Sequence, residues 1–121
     1  MRPRWGAAAG SILPMTATIA RVWTGWGSAA GVHRYCHEHF AATLLPQLRA
    51  LDGFRGARLF VRTADDGQTQ VVVTTFWASL AAIGVFAGPD ATRAVVEPVV
   101  HDLLDRFDER VLHFEVALDA T

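Results

Sequence analysis

Over residues 18–26 the side chains alternate, with Ile19, Arg21 and Trp23 on one side and Ala20, Val22 and Thr24 on the other. The β-branched and aromatic content of this run predicts a strand. Gly27-Ser28 breaks the period of two and offers an N-cap. From there to about residue 50 the spacing turns helical: Val32, Tyr35, Cys36, His39, Phe40, Thr43 and Leu44 form one stripe, and His33, Arg34, His37 and Glu38 face the other way. Pro46 is expected to kink or end the regular helix, because it lacks an N–H and its ring collides with the preceding turn. After an Asp52-Gly53 turn, residues 56–63 and 70–76 read as two antiparallel strands joined by the hairpin sequence Ala64-Asp65-Asp66-Gly67. Ser79 caps a short helix to Phe86, Gly88-Pro89 ends it, and Asp90 caps a further helix to about Phe107 with a break at Pro98. Residues 111–118 supply the last strand.

The order βαββαβ, with right-handed crossovers, predicts an α+β ferredoxin-like sandwich: a four-stranded antiparallel sheet with strands one and three central and helices on one face. The other face keeps Phe60, Val72, Phe76 and Phe114, or their alternating neighbours, and cannot be left in water. Sheet-on-sheet pairing with a second copy, a two-fold homodimer, is the simplest cover.

Composition sharpens this picture. The 121 residues fit one domain, and 51% hydrophobic against 19% charged residues points to surface hidden in a partner or a pocket. Eleven basic against twelve acidic residues give a formal charge of -1, with no electrostatic footprint for nucleic acid or an anionic membrane. Every basic residue is Arg, and the absence of Lys excludes lysine nucleophile or Schiff-base chemistry. The single Cys36 can form no internal disulfide and belongs to no zinc-type cluster, which fits a reducing cytoplasm; it reads as a small buried residue rather than a reactive thiol. Residues 1–14 place Arg2, Arg4 and Trp5 before a Gly/Ala run too weakly apolar for a signal peptide. They read as a flexible extension to a domain over residues 15–121, with Met15 as the functional start. No apolar run approaches the roughly 20 residues needed to cross a bilayer.

Several short stretches carry a family likeness: Ala20-Arg21-Val22-Trp23, Leu45-Pro46, Gly53-Phe54-Arg55-Gly56-Ala57, Phe76-Trp77-Ala78-Ser79-Leu80 with Phe86-Ala87-Gly88, and the closing run from Arg106 through Val116. Over residues 16–118 the chain resembles the antibiotic biosynthesis monooxygenase family of the dimeric α/β barrel superfamily. That resemblance implies a pocket in each subunit between sheet and helices, suited to a flat aromatic or polyketide compound. It also implies oxidation by molecular oxygen without metal, haem, flavin or other cofactor, the deprotonated substrate itself reducing oxygen. Two departures stand out. The family places an Asn at the reaction centre and this chain has none; the haem-degrading relatives carry an iron-binding His where Val96 stands here, which disfavours a haem role.

Trp77 matches the family's pocket Trp and reads equally well as core packing. Tyr35 and His39, one turn apart on the apolar stripe, form the candidate polar pair, with His39 as general base or as a buried His satisfied locally. Tyr35 and Trp77 would orient substrate, and Phe86 would line the pocket with Trp23, although Trp23 and Trp26 fit an interface equally well. Arg21, Arg62, His113 and Glu115, at alternating strand positions, could bind an anionic or phenolate substrate or form an ion-pair network at the dimer face. His33 and His37 have chelating spacing but no third ligand, so no metal is expected. Besides an oxygenase, the same pocket would serve a polyketide cyclase or isomerase, or a non-catalytic small-molecule binding protein.

Overall fold

The computed structural model describes residues 18–120. The expected extension over residues 1–14 and the start at Met15 lie outside them. The elements are β1 (Ile19–Gly27), α1 (Ala29–Arg34), a π-helical stretch (Tyr35–Leu44), α2 (Leu45–Arg49), β2 (Phe54–Thr63), β3 (Thr69–Trp77), α3 (Leu80–Ala87), α4 (Val100–Leu103), β4 (Arg106–Phe107) and β5 (Leu112–Glu115).

The sheet runs β2–β3–β1, with β4 and β5 both pairing antiparallel along the far side of β1. Strands one and three are therefore central, the ferredoxin-like arrangement that the βαββαβ order predicts. The hairpin forms as the sequence demands: Ala64 N–H donates to Gln68 O at 2.7 Å, and Gly67 takes the left-handed conformation at φ 85° that favours glycine.

Ser28 caps α1 by accepting from Gly31 N–H at 3.0 Å. Gly31 is required by contact, since a Cβ there would stand 2.2 Å from the Leu103 carbonyl oxygen of α4. Pro46 does not end the helix, which runs on to Arg49. The turns before it widen to π-helical, so that Leu45 N–H reaches Phe40 O and the Thr43 hydroxyl donates to Glu38 O at 3.3 Å. Pro46 then falls in the first turn of α2, where an absent N–H costs least.

The helix expected from Asp90 to about Phe107 is replaced by an irregular strap over residues 88–99, followed by the four-residue α4. The competing partners are visible. Asp90 turns its carboxylate onto Thr92 N–H at 3.1 Å, Ala94 N–H donates to Glu109 O at 2.9 Å, and Val111 N–H donates to Thr92 O at 2.8 Å. Backbone groups that a helix would have paired internally are bound instead to the chain entering β5. The freed stretch after α4 adds β4, a strand absent from the sequence reading.

Cross-strand register divides the sheet into two faces. Arg21, Trp23, Val73, Thr75, Trp77 and His113 share the inner face, under the helices. There Trp23, Phe40, Leu48, Val73 and Trp77 form the centre of the core with Val32, packed between sheet and helix. The outer face carries Val22, Phe60, Val72, Phe76, Leu112 and Phe114. Phe60, Leu112 and Phe114 are each more than half exposed, large apolar groups on a face of the kind that marks an interaction site.

Candidate functional site

A cavity opens between the inner face and the helical layer. Arg21, Trp23, Val73 and Thr75 come from the sheet, Tyr35, Phe40, Leu44 and Leu48 from the long helix, Phe86 from α3, and Val95 and Val111 from the segments that close the mouth. Its total empty space, mouth included, is about 390 Å³, of which about 40 Å³ admits the centre of a water molecule. An engineered apolar cavity of about 150 Å³ accepts benzene, so in this state the void holds water-sized guests.

Arg21 is the charged group of the cavity wall. It is 5% exposed, donating from Nη1 to Ala91 O and from Nη2 to Arg93 O at 2.8 Å, with Nη1 3.2 Å from His113 Nε2. No carboxylate pairs with it among the described residues. Desolvation lowers its pKa, but a guanidinium remains protonated throughout the physiological range. Two neutral carbonyls orient this charge without cancelling it, and its guanidinium carbon also lies 5.7 Å from the Phe86 ring centre. Burial, then the Arg21 charge, holds the His113 pKa below its ordinary value, so the imidazole accepts from Arg21 as a neutral ring.

Tyr35 presents the second polar function. It is buried, its ring lies 5.8 Å from Trp23, and its hydroxyl has no hydrogen-bond partner among the described residues. Burial is the main cause that raises its pKa, with Cys36 and Glu97 adding to it, so the phenol stays protonated and serves as a donor. Thr75 is the third. Its Oγ1 accepts from the Trp77 indole N–H at 2.8 Å, which leaves its own hydrogen for another acceptor.

Of the residues singled out from sequence, Arg21, Trp23, Tyr35 and Phe86 meet on the cavity wall, with His113 directly behind Arg21. Trp77 is fully buried, stacked on Phe86 with ring centres 5.6 Å apart, and reaches the cavity only through Thr75. His39 is buried beside Tyr35, ring centres 5.5 Å apart, with Nε2 facing Glu97 Oε1 at 3.6 Å, and does not itself line the cavity. Arg62 stands on the outer face, donating to Gln70 at 3.1 Å; the strand alternation puts it on the opposite side from Arg21, so these two cannot act on one ligand. Trp26 is also on the outer side, beneath the Arg106 guanidinium at 3.8 Å, whereas the Trp23 indole N–H donates inward to Asp108 O at 2.7 Å.

Thr75 and Glu97 were missed from sequence. Thr75 was legible in principle, as the register partner of Arg21 two residues before Trp77. Glu97 lies on the strap that was read as helix and carried no comparable signal. The described residues contain no group of three or more His, Cys, Asp or Glu side chains placed to hold a metal ion, and no helix long and apolar enough to cross a membrane.

No protein-family model matches the sequence, and none of the curated proteins matches it. Solved structures do. A candidate antibiotic biosynthesis monooxygenase from Bacillus cereus superposes with a TM-score of 0.59 at 16% identity, covering 87% of this chain and 98% of its own. A monooxygenase from the gene ActVA-Orf6 of Streptomyces coelicolor, in complex with the ligand nanaomycin D, gives 0.57 at 19% identity, covering 90% and 95%. A dimeric ferredoxin-like protein from an uncultured marine organism gives 0.54 at 12% identity, covering 86% and 99%. In fold, this chain is a ferredoxin-like α+β domain of the kind found in the antibiotic biosynthesis monooxygenases.

Proposed function

We propose that the chain is a cofactor-independent monooxygenase that binds a phenolic aromatic compound, of the polyketide type, in the cavity of each subunit. The observation that carries this reading is Arg21: a buried cation without a carboxylate partner among the described residues, set against aromatic walls. Such a group stabilises an oxyanion far more than an exposed arginine does, because water screens it little. A phenolic oxygen at Arg21 would ionise readily, and the electron-rich ring it leaves can reduce oxygen directly.

For an anthrone-type ring the balance is simple. A CH2 group flanked by the phenolic rings loses a proton, the carbanion passes electrons to oxygen, and CH2 plus O2 becomes C=O plus water. The Tyr35 hydroxyl receives the substrate proton as it passes its own to His39, the base of the site, and Thr75 donates to a second substrate oxygen. Since the void holds only waters as it stands, the ring enters by displacing Val95 and the strap that carries it. Solved structures of this fold support the reading, one of them a monooxygenase holding nanaomycin D. The exposed apolar outer face and the dimeric ferredoxin-like neighbour support a homodimer built sheet to sheet.

Oxygen consumption with 1,8-dihydroxyanthrone tests the proposal. The wild type is expected to consume one oxygen per ketone formed and Arg21→Gln to lose the activity. Turnover of a polyketide-type substrate without oxygen uptake would reassign the cavity to a cyclase or isomerase, and binding without turnover to a carrier.

A further inference from the structure

The ionisable groups around the cavity fall into two clusters among the described residues: Arg21 with His113, and Tyr35 with His39 and Glu97. Ligand binding accounts for the first. The second contains a carboxylate that the proposed chemistry has not used. Glu97 sits on the strap over residues 88–99, and its backbone is fixed from both sides. Pro98 restricts the residue before it to extended conformations, and Val100 N–H donates to Glu97 O at 2.9 Å. The strap itself is tied to the sheet through Arg93 O and through Ala94. Glu97 is thereby held over His39, the most buried histidine of the described chain, whose ring makes no closer polar contact there than the 3.6 Å to Glu97 Oε1. That distance is longer than a hydrogen bond, as pairs of acid–base groups often are before a ligand closes the site.

An ionised carboxylate only accepts, so the ring nitrogen facing it must carry the hydrogen. A neutral imidazole has one such hydrogen. Placing it on Nε2 leaves the lone pair on Nδ1.

We propose that Glu97 is the positioning residue of this site, holding His39 as its Nε2–H tautomer and balancing the imidazolium formed when Nδ1 accepts a proton. The inference rests on the reading of His39 as the base. When Nδ1 takes the proton, the ring keeps its Nε2 hydrogen toward the Glu97 carboxylate, whose charge balances the imidazolium, and Nδ1 later returns the proton through Tyr35 to the reduced oxygen that leaves as water; no electron or other group is transferred. A third side chain orienting a base that serves the reacting group is the logic of catalytic triads in general.

Long-range 1H–15N correlation spectra of the full chain at neutral pH read the tautomer directly and need no substrate. The wild type is expected to show His39 with its hydrogen on Nε2, Glu97→Ala to show a mixture or the opposite tautomer, and Glu97→Asp to restore the wild-type pattern. An Nδ1–H ring in the wild type, or an unchanged His39 in Glu97→Ala, overturns the proposal. With 1,8-dihydroxyanthrone, Glu97→Ala is expected to lower kcat about tenfold or more while KM moves less than about twofold. A shifted tautomer with unchanged kcat would make Glu97 merely structural and overturn it equally. If the wild type does not oxidise this compound, the oxygenase reading falls, and the spectra alone decide whether Glu97 sets the ring.

Discussion

The Trp77 indole N–H donates to the Thr75 hydroxyl at 2.8 Å, two residues earlier on the same face of β3. This contact fixes the rotamer of a cavity hydroxyl from behind, and it places the larger residue in the core and the smaller one at the site. Trp77→Phe keeps the stack on Phe86 but removes the donor and leaves a small void. It is expected to cost about 2 kcal/mol in urea unfolding and to weaken ligand binding without abolishing it.

Arg21 serves both the cavity and the strap. Arg21→Met leaves the carbonyls of Ala91 and Arg93 without their donors, and an expected loss of about 2–4 kcal/mol follows from that desolvation alone. Arg21→Lys should retain part of the stability but not the geometry, because an ammonium cannot reach both carbonyls as a planar fork does. Denaturation midpoints of the two variants separate charge from shape.

His113 makes acid unfolding sensitive to a single ring. Its pKa in the fold lies below the ordinary 6.5, so as pH falls through 6.5 the unfolded chain takes up a proton that the folded chain resists. Its share of stability is therefore complete above about 6.5 and declines as pH falls toward the folded value. In His113→Gln this part of the slope should vanish. Melting temperatures of the two proteins should respond differently to pH between 7 and about 5; parallel curves would count against the Arg21–His113 contact.

Close approach of α1 and α4 makes Gly31→Ala a severe test of packing. The new methyl would meet the Leu103 carbonyl oxygen at 2.2 Å, and only backbone movement can relieve it. A loss of about 2 kcal/mol or more is expected in chemical denaturation.

The outer face offers a test of assembly. Phe60 and Phe114 stand at opposite edges of the outer face, on β2 and β5, and both are exposed in the single chain. Phe60→Asp combined with Phe114→Asp should yield a folded monomer by sedimentation velocity, where the wild type is expected to sediment as a dimer.

Much of the scaffold was legible because local rules agreed with tertiary demands. The alternation around Arg21 and Trp23, the hairpin at Gly67 and the Ser79 cap each had one reading, and the Ser79 hydroxyl does accept from Ala82 N–H at 3.0 Å. Asp90 shows where the agreement ended. An Asp before a run containing Ala91, Ala94 and Val95 resembles a helix start, yet its carboxylate serves Thr92 and Arg110, and long-range pairing with residues 109–111 outcompetes a helix already weakened by Pro98. Periodicity cannot register partners twenty residues away. The site divided along the same line. Arg21, Tyr35 and Trp23 followed from which face each residue occupies, whereas Arg62 was grouped with Arg21 before the β2–β3 register placed them on opposite sides.

The strap over residues 88–99 belongs to no helix or strand, and its Ala91, Ala94 and Val96 pack on the core while Val95 closes the cavity. Insertions, deletions or bulkier side chains there could redraw the chamber's outline while sheet and long helix stay as they are. Selection for a different guest thus has a region to work on that is separate from the one maintaining the fold.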